Sequence, residues 1–126
     1  MTKAAAIYQF WAGFGLPAYE ENSVYSFDET PPYPYLTYEL NTDAFSDNAV
    51  SLSCSLWYRS TSWVQCNAKA EEISKAIGQS GVILKCDGGY IWIRRSSPFA
   101  QSMGDDSDDM IKRKYINISA EFFTAD

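Results

Sequence analysis

Apolar and polar residues alternate most regularly between Ala49 and Ser60. One side of this stretch is apolar and consists of Val50, Leu52, Cys54, Leu56 and Tyr58. The other side consists of Ser51, Ser53, Ser55, Trp57 and Arg59. A period of two residues is typical of a strand with one buried face. We therefore predict a strand whose second face is wet or covered by polar groups.

The hydrophobic pattern changes to helical spacing in two other segments. Between Thr61 and Gly78 the apolar face consists of Trp63, Cys66, Ala70, Ile73 and Ile77. Ser60, Thr61 or Ser62 is expected to cap this helix, and Gly78 to end it. A further helix is predicted from Thr2 to about Phe14, where one stripe contains Ile7, Phe10, Trp11 and Phe14. Both helices should pack an apolar face on a sheet.

The rest of the pattern predicts more strands, separated by two loops. The strands are expected at Tyr35–Asn41, Val82–Cys86, Tyr90–Arg95 and Met110–Thr124. The second and third of these form a hairpin around Asp87-Gly88-Gly89, since glycine tolerates the positive φ that such turns need. Ala18–Pro34 is rich in Tyr, Glu and Pro and is predicted to be a loop. Ser96–Asp109 is predicted to be a long loop with an acidic end.

These elements predict an α+β fold in one domain, residues 1–126. The sheet is expected to be mostly antiparallel, with about five strands and two helices packed on one face. The final strand should place Ile116, Ile118, Ala120 and Phe122 towards the core.

Aromatic residues make up 16% of the chain, with nine Tyr, seven Phe and four Trp. Aromatic rings are enriched in interfaces as well as in cores. The predicted outward strand faces carry two Trp–Arg pairs, Trp57 with Arg59 and Trp92 with Arg94. Trp and Arg are typical hot-spot residues, so these four are the candidate subunit interface. The alternative is that the first helix or a loop covers them.

The net charge of −6 argues against general affinity for nucleic acid and against adhesion to an anionic membrane. No apolar run of 18 residues occurs, so no spanning helix is predicted. Cys54, Cys66 and Cys86 form no CxxC pair and fall on or at the end of apolar faces. We expect buried free thiols in a protein made in the cytoplasm.

The chain contains no histidine, which excludes Ser-His-Asp and Cys-His catalysis and most zinc sites. No glycine-rich phosphate loop or dinucleotide fingerprint is present. Glu20 and Glu21 are adjacent and would point apart on an extended chain, which does not suit a glycosidase pair. We therefore expect no catalytic residue, no cofactor and no metal. A small enzyme or ligand-binding domain with a carboxylate or tyrosine in a pocket remains the alternative of a different class.

The sharpest charge cluster is acidic and consists of Asp105, Asp106, Asp108 and Asp109. Carboxylates at short spacing can bind calcium, but the twelve-residue pattern lacks its glycine and its final glutamate. We favour a solvated, mobile loop, which would also repel the phosphates of DNA. Arg94-Arg95 and Lys112-Arg113-Lys114 flank it, as local charge balance or, alternatively, as nucleic-acid contacts.

The order of elements resembles the tail terminator (tail completion) proteins of long-tailed phages and prophages. The residues that carry the resemblance extend over nearly the whole chain. They are the helix end Gly15-Leu16-Pro17-Ala18-Tyr19, the strand entry Pro34-Tyr35-Leu36-Thr37-Tyr38, the strand end Leu56-Trp57-Tyr58-Arg59-Ser60, the hairpin Asp87-Gly88-Gly89-Tyr90 and the final Tyr115-Ile116-Asn117-Ile118.

The resemblance implies a virion structural protein, assembled in the cytoplasm of the host bacterium, that forms a hexameric ring. Such a ring caps the tail tube and offers the surface on which the head docks. Its partners would be further copies of itself, the tail tube protein and a head–neck connector protein, with DNA passing through without specific binding. A neck or head-completion connector is the alternative within the same class. An edge strand such as Tyr35–Asn41 is expected to pair with the neighbouring subunit.

Overall fold

The computed structural model describes residues 1–24, 26–45 and 48–126. Tyr25, Ser46 and Asp47 lie outside the described residues, Tyr25 within the predicted loop Ala18–Pro34. Over the described ranges the elements are α1 Lys3–Ala12, β1 Ala18–Glu20, α2 Glu21–Val24, β2 Tyr35–Tyr38, β3 Val50–Arg59, α3 Val64–Ile77, β4 Val82–Cys86, β5 Gly89–Met103 and β6 Ile111–Thr124.

The predicted α+β class is confirmed, but the sheet has six strands and is mixed, rather than about five and mostly antiparallel. The strand order is β1-β2-β3-β6-β5-β4. β1 runs parallel to β2, and the other neighbours are antiparallel. α1 contacts both outermost strands, β1 and β4, so the sheet curls around the helices.

One hydrophobic core lies between α1 and α3 on one side and the inner face of the sheet on the other. The predicted inward residues of β3 and β6 are buried in it, from Leu52 to Tyr58 on one strand and from Ile116 to Phe122 on the other. α3 contributes Cys66, Ala70, Ile73 and Ile77, as predicted, and Trp63 is only partly buried at its start. α1 contributes Ala6, Ile7 and Trp11.

The helix ends follow the predictions only in part. Thr2 caps α1, since its Oγ1 accepts a hydrogen bond from Ala5 N at 3.1 Å. α3 begins at Val64, three residues later than predicted, and its N-cap residue Trp63 makes no side-chain cap hydrogen bond. Ser62 Oγ accepts from Val64 N at 3.1 Å instead. Gly78 ends α3 with φ of +71°, a conformation that glycine adopts without strain.

The predicted loop Ala18–Pro34 is wrong at its start. Its first residues form β1, which pairs with β2 over Ala18–Glu20, and a single helical turn follows as α2. β2 ends at Tyr38 and has a neighbour on each side, so the expected pairing of Tyr35–Asn41 as an edge strand is wrong. A three-residue strand has too little periodicity to be recognised in sequence.

The predicted loop Ser96–Asp109 is also wrong over most of its length. β5 continues to Met103, because Ala100–Met103 pair with Arg113–Ile116 of β6 after an irregularity between Arg95 and Ala100. The turn that carries the acidic residues is therefore short. Proline and irregular pairing at this point fit a β-bulge, where a missing donor is tolerated.

Candidate functional site

The face of the sheet opposite α1 and α3 is the candidate functional surface, and the four predicted interface residues lie at two separate places on it. Trp57 is paired with Arg113 of β6, whereas Trp92 is paired with Glu121. These two β6 residues are eight positions apart, or roughly 26 Å along the strand. The structure thus divides the predicted cluster into two.

The first place is a cavity of about 310 Å³, which we call the Trp57 pocket. It lies between α2 and the sheet and is lined by Glu21, Val24, Tyr35, Thr37, Ser55, Trp57 and Arg113. The rings of Tyr35 and Trp57 are stacked, with centroids 6.0 Å apart. Trp57 Nε1 donates to Thr37 Oγ1 at 2.9 Å. Trp57 is therefore a half-buried wall of a pocket and not a free protruding side chain.

Arg113 is the cation of the Trp57 pocket, and three contacts fix its orientation. Its Nε donates to Ser55 Oγ at 3.0 Å. Its Cζ lies 4.8 Å from the Trp57 ring and 5.4 Å from the Tyr115 ring. Ser55 is only 4% exposed, so the hydrogen bond is shielded from water. In the described part of the chain Arg113 forms no ion pair, and its Nη1 and Nη2 edge has no hydrogen-bond partner.

Arg59, the partner of Trp57 in the prediction, lies outside the pocket. Its Nε donates to Asp108 Oδ2 at 3.3 Å, so it is engaged with the acidic loop of its own chain. This pair is exposed and contributes at most about 1 kcal/mol.

The acidic loop, which we define as Gly104–Asp109, forms a hydrogen-bonded turn. Asp105 Oδ1 accepts from Ser107 N at 2.8 Å, from Ser107 Oγ at 2.6 Å and from Asp108 N at 3.2 Å. The hydrogen bonds from Ser107 lower the pKa of Asp105, because they favour its charged form. The mobility of the loop stays a prediction. Within the described residues no group of three or more metal-ligating side chains is placed to hold an ion.

Trp92 and Arg94 form the second place, together with Glu121. The Arg94 guanidinium lies 4.1 Å above the Trp92 ring, and Arg94 Nη2 donates to Glu121 Oε1 at 2.5 Å. Trp92 Nε1 donates to Ser80 O at 2.9 Å. Both predicted residues are thus half-buried and held in a fixed arrangement on the outer face.

An exposed apolar cluster surrounds Trp92, and we call it the Tyr90 patch. It consists of Phe45, Ile83, Tyr90, Trp92 and Phe123. The Tyr90 and Phe123 rings are stacked 5.1 Å apart, and Phe45 lies edge-on to Phe123 at 5.7 Å. Ile83 is paired with Trp92 across β4 and β5. Phe45 is 69% exposed, Ile83 54% and Tyr90 41%.

Burial raises the pKa of several groups that could otherwise ionise. It raises the pKa of Tyr35 to about 12, with a smaller contribution from Tyr33, so the wall of the Trp57 pocket is a neutral phenol. Burial also raises the pKa of Cys54 well above its usual value and raises that of Cys66. All three cysteines are free thiols; Cys54 and Cys66 are buried as predicted, and Cys86 is half-buried.

Sequence reasoning missed Phe45, Ile83 and Tyr90 as surface residues of interest, and it considered Arg113 only as part of the basic run Lys112-Arg113-Lys114. A signal for Arg113 was present, since it continues the alternation of β6 on the side opposite Ile116 and Ile118. Its position across from Trp57 depends on the β3–β6 register, which the sequence does not contain.

The side chains of Glu20 and Glu21 point to different places, as expected of adjacent residues. Glu20 accepts from Asn22 N at 3.0 Å and Ser23 N at 3.2 Å, whereas Glu21 faces the Trp57 pocket.

No helix of the described residues has the length and apolar character needed to cross a bilayer.

Compared with protein-family models, with curated proteins and with solved structures, the chain matches none of them.

Proposed function

We propose that this protein is a structural subunit of a phage virion, a tail terminator that forms a ring on the end of the tail tube and presents a docking surface for the head. The observation that carries the proposal is the Tyr90 patch. Three large side chains in it remain 41–69% exposed beside the outermost strand β4. A contiguous apolar patch on an otherwise charged protein is typical of a protein–protein contact.

The chemistry of the Tyr90 patch suits a contact hot spot. Trp, Tyr and Arg dominate such spots, and here Arg94 stacks on Trp92 at 4.1 Å while Tyr90 stacks on Phe123. The rings are already ordered by their neighbours in the single subunit. Little side-chain entropy is then lost when a partner covers them.

A ring requires one copy to present a different surface to each of its two neighbours. The Tyr90 patch and the Trp57 pocket lie at opposite ends of the outer face, so two chemically different surfaces exist on one subunit. β4 adds a short edge, and in the turn directly after it Asp87 N donates to Met1 O at 2.7 Å. Because this hydrogen bond occupies a backbone donor at the end of the edge, it limits strand pairing with further copies.

The negative charge of the chain supports the same proposal. With a net charge of −6, six copies would carry 36 negative charges, which favours passage of DNA through the ring without specific binding. The tail tube protein and a head–neck connector protein are the proposed partners. The virion is the proposed location after assembly in the host cytoplasm.

Light scattering over a range of protein concentrations, followed by negative-stain microscopy, tests this function. The proposal expects a concentration-dependent oligomer, six subunits in a closed ring, that binds to tail-tube ends. A neck or head-completion connector would instead bind to DNA-filled heads. A strict monomer that binds neither structure contradicts both, and would return attention to the Trp57 pocket as a ligand site.

A further inference from the structure

We propose that the Trp57 pocket is a carboxylate-binding site whose occupant is the acidic loop, Gly104–Asp109, of a second copy of this chain. The inference rests on the self-association proposed above, but it does not depend on a tail tube being the partner of the ring. It assigns both sides of one contact between copies.

The group that would bind the carboxylate is the guanidinium of Arg113, which lines the Trp57 pocket. The hydrogen bond to Ser55 uses Nε, and the stacking on Trp57 and Tyr115 holds the plane of the group. The two Nη nitrogens remain as a fixed pair of donors. This is the geometry in which arginine binds a carboxylate through two parallel hydrogen bonds.

The pocket around Arg113 gives the site its selectivity. Thr37, 9% exposed, and Ser55 place hydroxyl groups on its floor, and Tyr35 and Trp57 form an apolar wall. The volume of about 310 Å³ is enough for an aspartate side chain, and the residues that line it are buried or half-buried. Charge pairs in such partly desolvated places are stronger than on an open surface.

The acidic loop supplies the carboxylate, and its own hydrogen bonds show which side chains are free to do so. The Asp105 carboxylate accepts hydrogen bonds within the turn. The Asp108 carboxylate accepts from Arg59 Nε and from Met110 N. The carboxylates of Asp106 and Asp109, both exposed, have no hydrogen-bond or ion-pair partner among the described residues. Arg113 in the pocket and Asp106 and Asp109 in the acidic loop are thus charged side chains that form no ion pair with the described residues of their own subunit, and Glu21 at the same pocket forms none with Arg113.

A subunit cannot readily satisfy this pairing by itself. Asp109 lies in the turn before β6, whereas Arg113 is the third residue of that strand. The turn from Asp105 to Met110 is fixed by its own hydrogen bonds, and Ser60 N donates to Met110 O at 2.7 Å. A second copy can bring the two charges together without distorting this turn.

The placement of the two sides agrees with a ring. The acidic loop and Arg113 both lie at the end of the sheet where β6 begins. Copies in a closed ring are related by rotation, so contacting surfaces must lie at the same height along the ring axis. A loop and a pocket at the same end of the sheet meet this condition when the strands run along that axis.

A charge exchange tests the contact, with sedimentation velocity as the measurement. Arg113→Glu should raise the dissociation constant between copies at least about tenfold. Arg113→Glu combined with Asp106→Arg and Asp109→Arg should restore association, because the pair is present again with its signs reversed. Arg95→Glu is the matched control, since Arg95 is exposed on the helix side and donates to Ser74 Oγ at 2.9 Å. Circular dichroism shows whether each variant folds.

Cross-linking shows which copy supplies the loop. One chain carries Glu21→Cys at the pocket, and another carries Gly104→Cys, where an added Cβ meets nothing within 4 Å. Both carry Cys86→Ser. A short bis-maleimide should join the two chains only when they are mixed. The chain with both new cysteines should form no internal cross-link when dilute.

The outcomes separate this inference from the proposed function. Rings that form normally in Arg113→Glu, or an internal cross-link in the dilute double-cysteine chain, overturn the inference and leave the tail terminator standing. Cross-linked copies that associate but never bind a tail tube support the inference and contradict the tail terminator. A wild-type chain that stays monomeric at all concentrations contradicts both.

Discussion

Removing the exposed apolar side chains of the Tyr90 patch should strongly weaken assembly while leaving the subunit folded. The perturbation is the double substitution Phe45→Ser and Ile83→Ser. Both residues are mostly exposed in the single subunit, Phe45 more than Ile83. Surface substitutions of this kind change the free energy of unfolding by about 0.5 kcal/mol or less per site.

The effect on assembly follows from the area that a partner would cover. Full burial of a Phe or Ile side chain is worth about 1.5–3 kcal/mol. With 69% and 54% of their surface still exposed, Phe45 and Ile83 retain about 1–2 and about 0.8–1.6 kcal/mol for a partner. Their sum, about 2–3.5 kcal/mol, corresponds to a roughly 30- to 300-fold weaker contact between copies.

Sedimentation velocity measures the dissociation constant, and urea denaturation measures the stability of the subunit. Val64→Ser is the matched control, because Val64 is an exposed apolar residue at the start of α3, away from the patch. The reasoning is refuted if the double variant assembles as the wild type does. It is refuted equally if Val64→Ser weakens assembly by the same factor.

Three further predictions concern stability. Glu121→Gln should cost about 1–2 kcal/mol in urea denaturation, because it removes the carboxylate that pairs with half-buried Arg94; an unchanged midpoint would contradict the role of the pair. Gly89→Ala should cost about 1–3 kcal/mol or more, since an added Cβ would lie 1.9 Å from Phe123 O at a positive φ; a wild-type melting temperature would show that the turn relaxes freely. Stability should fall as the pH rises above about 9, the usual pKa of a cysteine thiol, because burial keeps Cys54 protonated in the folded state while the unfolded chain ionises. The loss approaches about 1.4 kcal/mol per pH unit for each such group, and Cys54→Ala should reduce the slope measured between pH 8 and pH 10.

The elements that the sequence predicts well are those whose apolar core residues all lie on one side. β3 and α3 each place one regular set of residues in the core, such as Leu52 and Leu56 or Ile73 and Ile77. Their period therefore appears in the sequence. β1 has three half-buried residues and exists because β2 lies beside it in parallel. Long-range pairing of this kind leaves no local pattern.

The end of β5 could not be predicted for a similar reason. Residues from Ser96 to Met103 show no alternation and include Pro98, yet they are held in a strand by β6. The candidate surface could be predicted in part from the sequence, because the alternation of apolar and polar residues places Trp57 and Trp92 on the outer face. The partners of these rings, Arg113 and Glu121, depend on register and could be found only in the folded chain.

The capping of tail tubes tests the central claim most directly. If the proposed function holds, a tail tube protein is encoded beside this chain, and its polymerised tubes would be mixed with the purified protein and imaged by negative-stain microscopy. The account predicts a ring of six subunits at one end of each tube and no further tube growth when tube protein is added. Tubes that stay bare and continue to lengthen at saturating protein would contradict it.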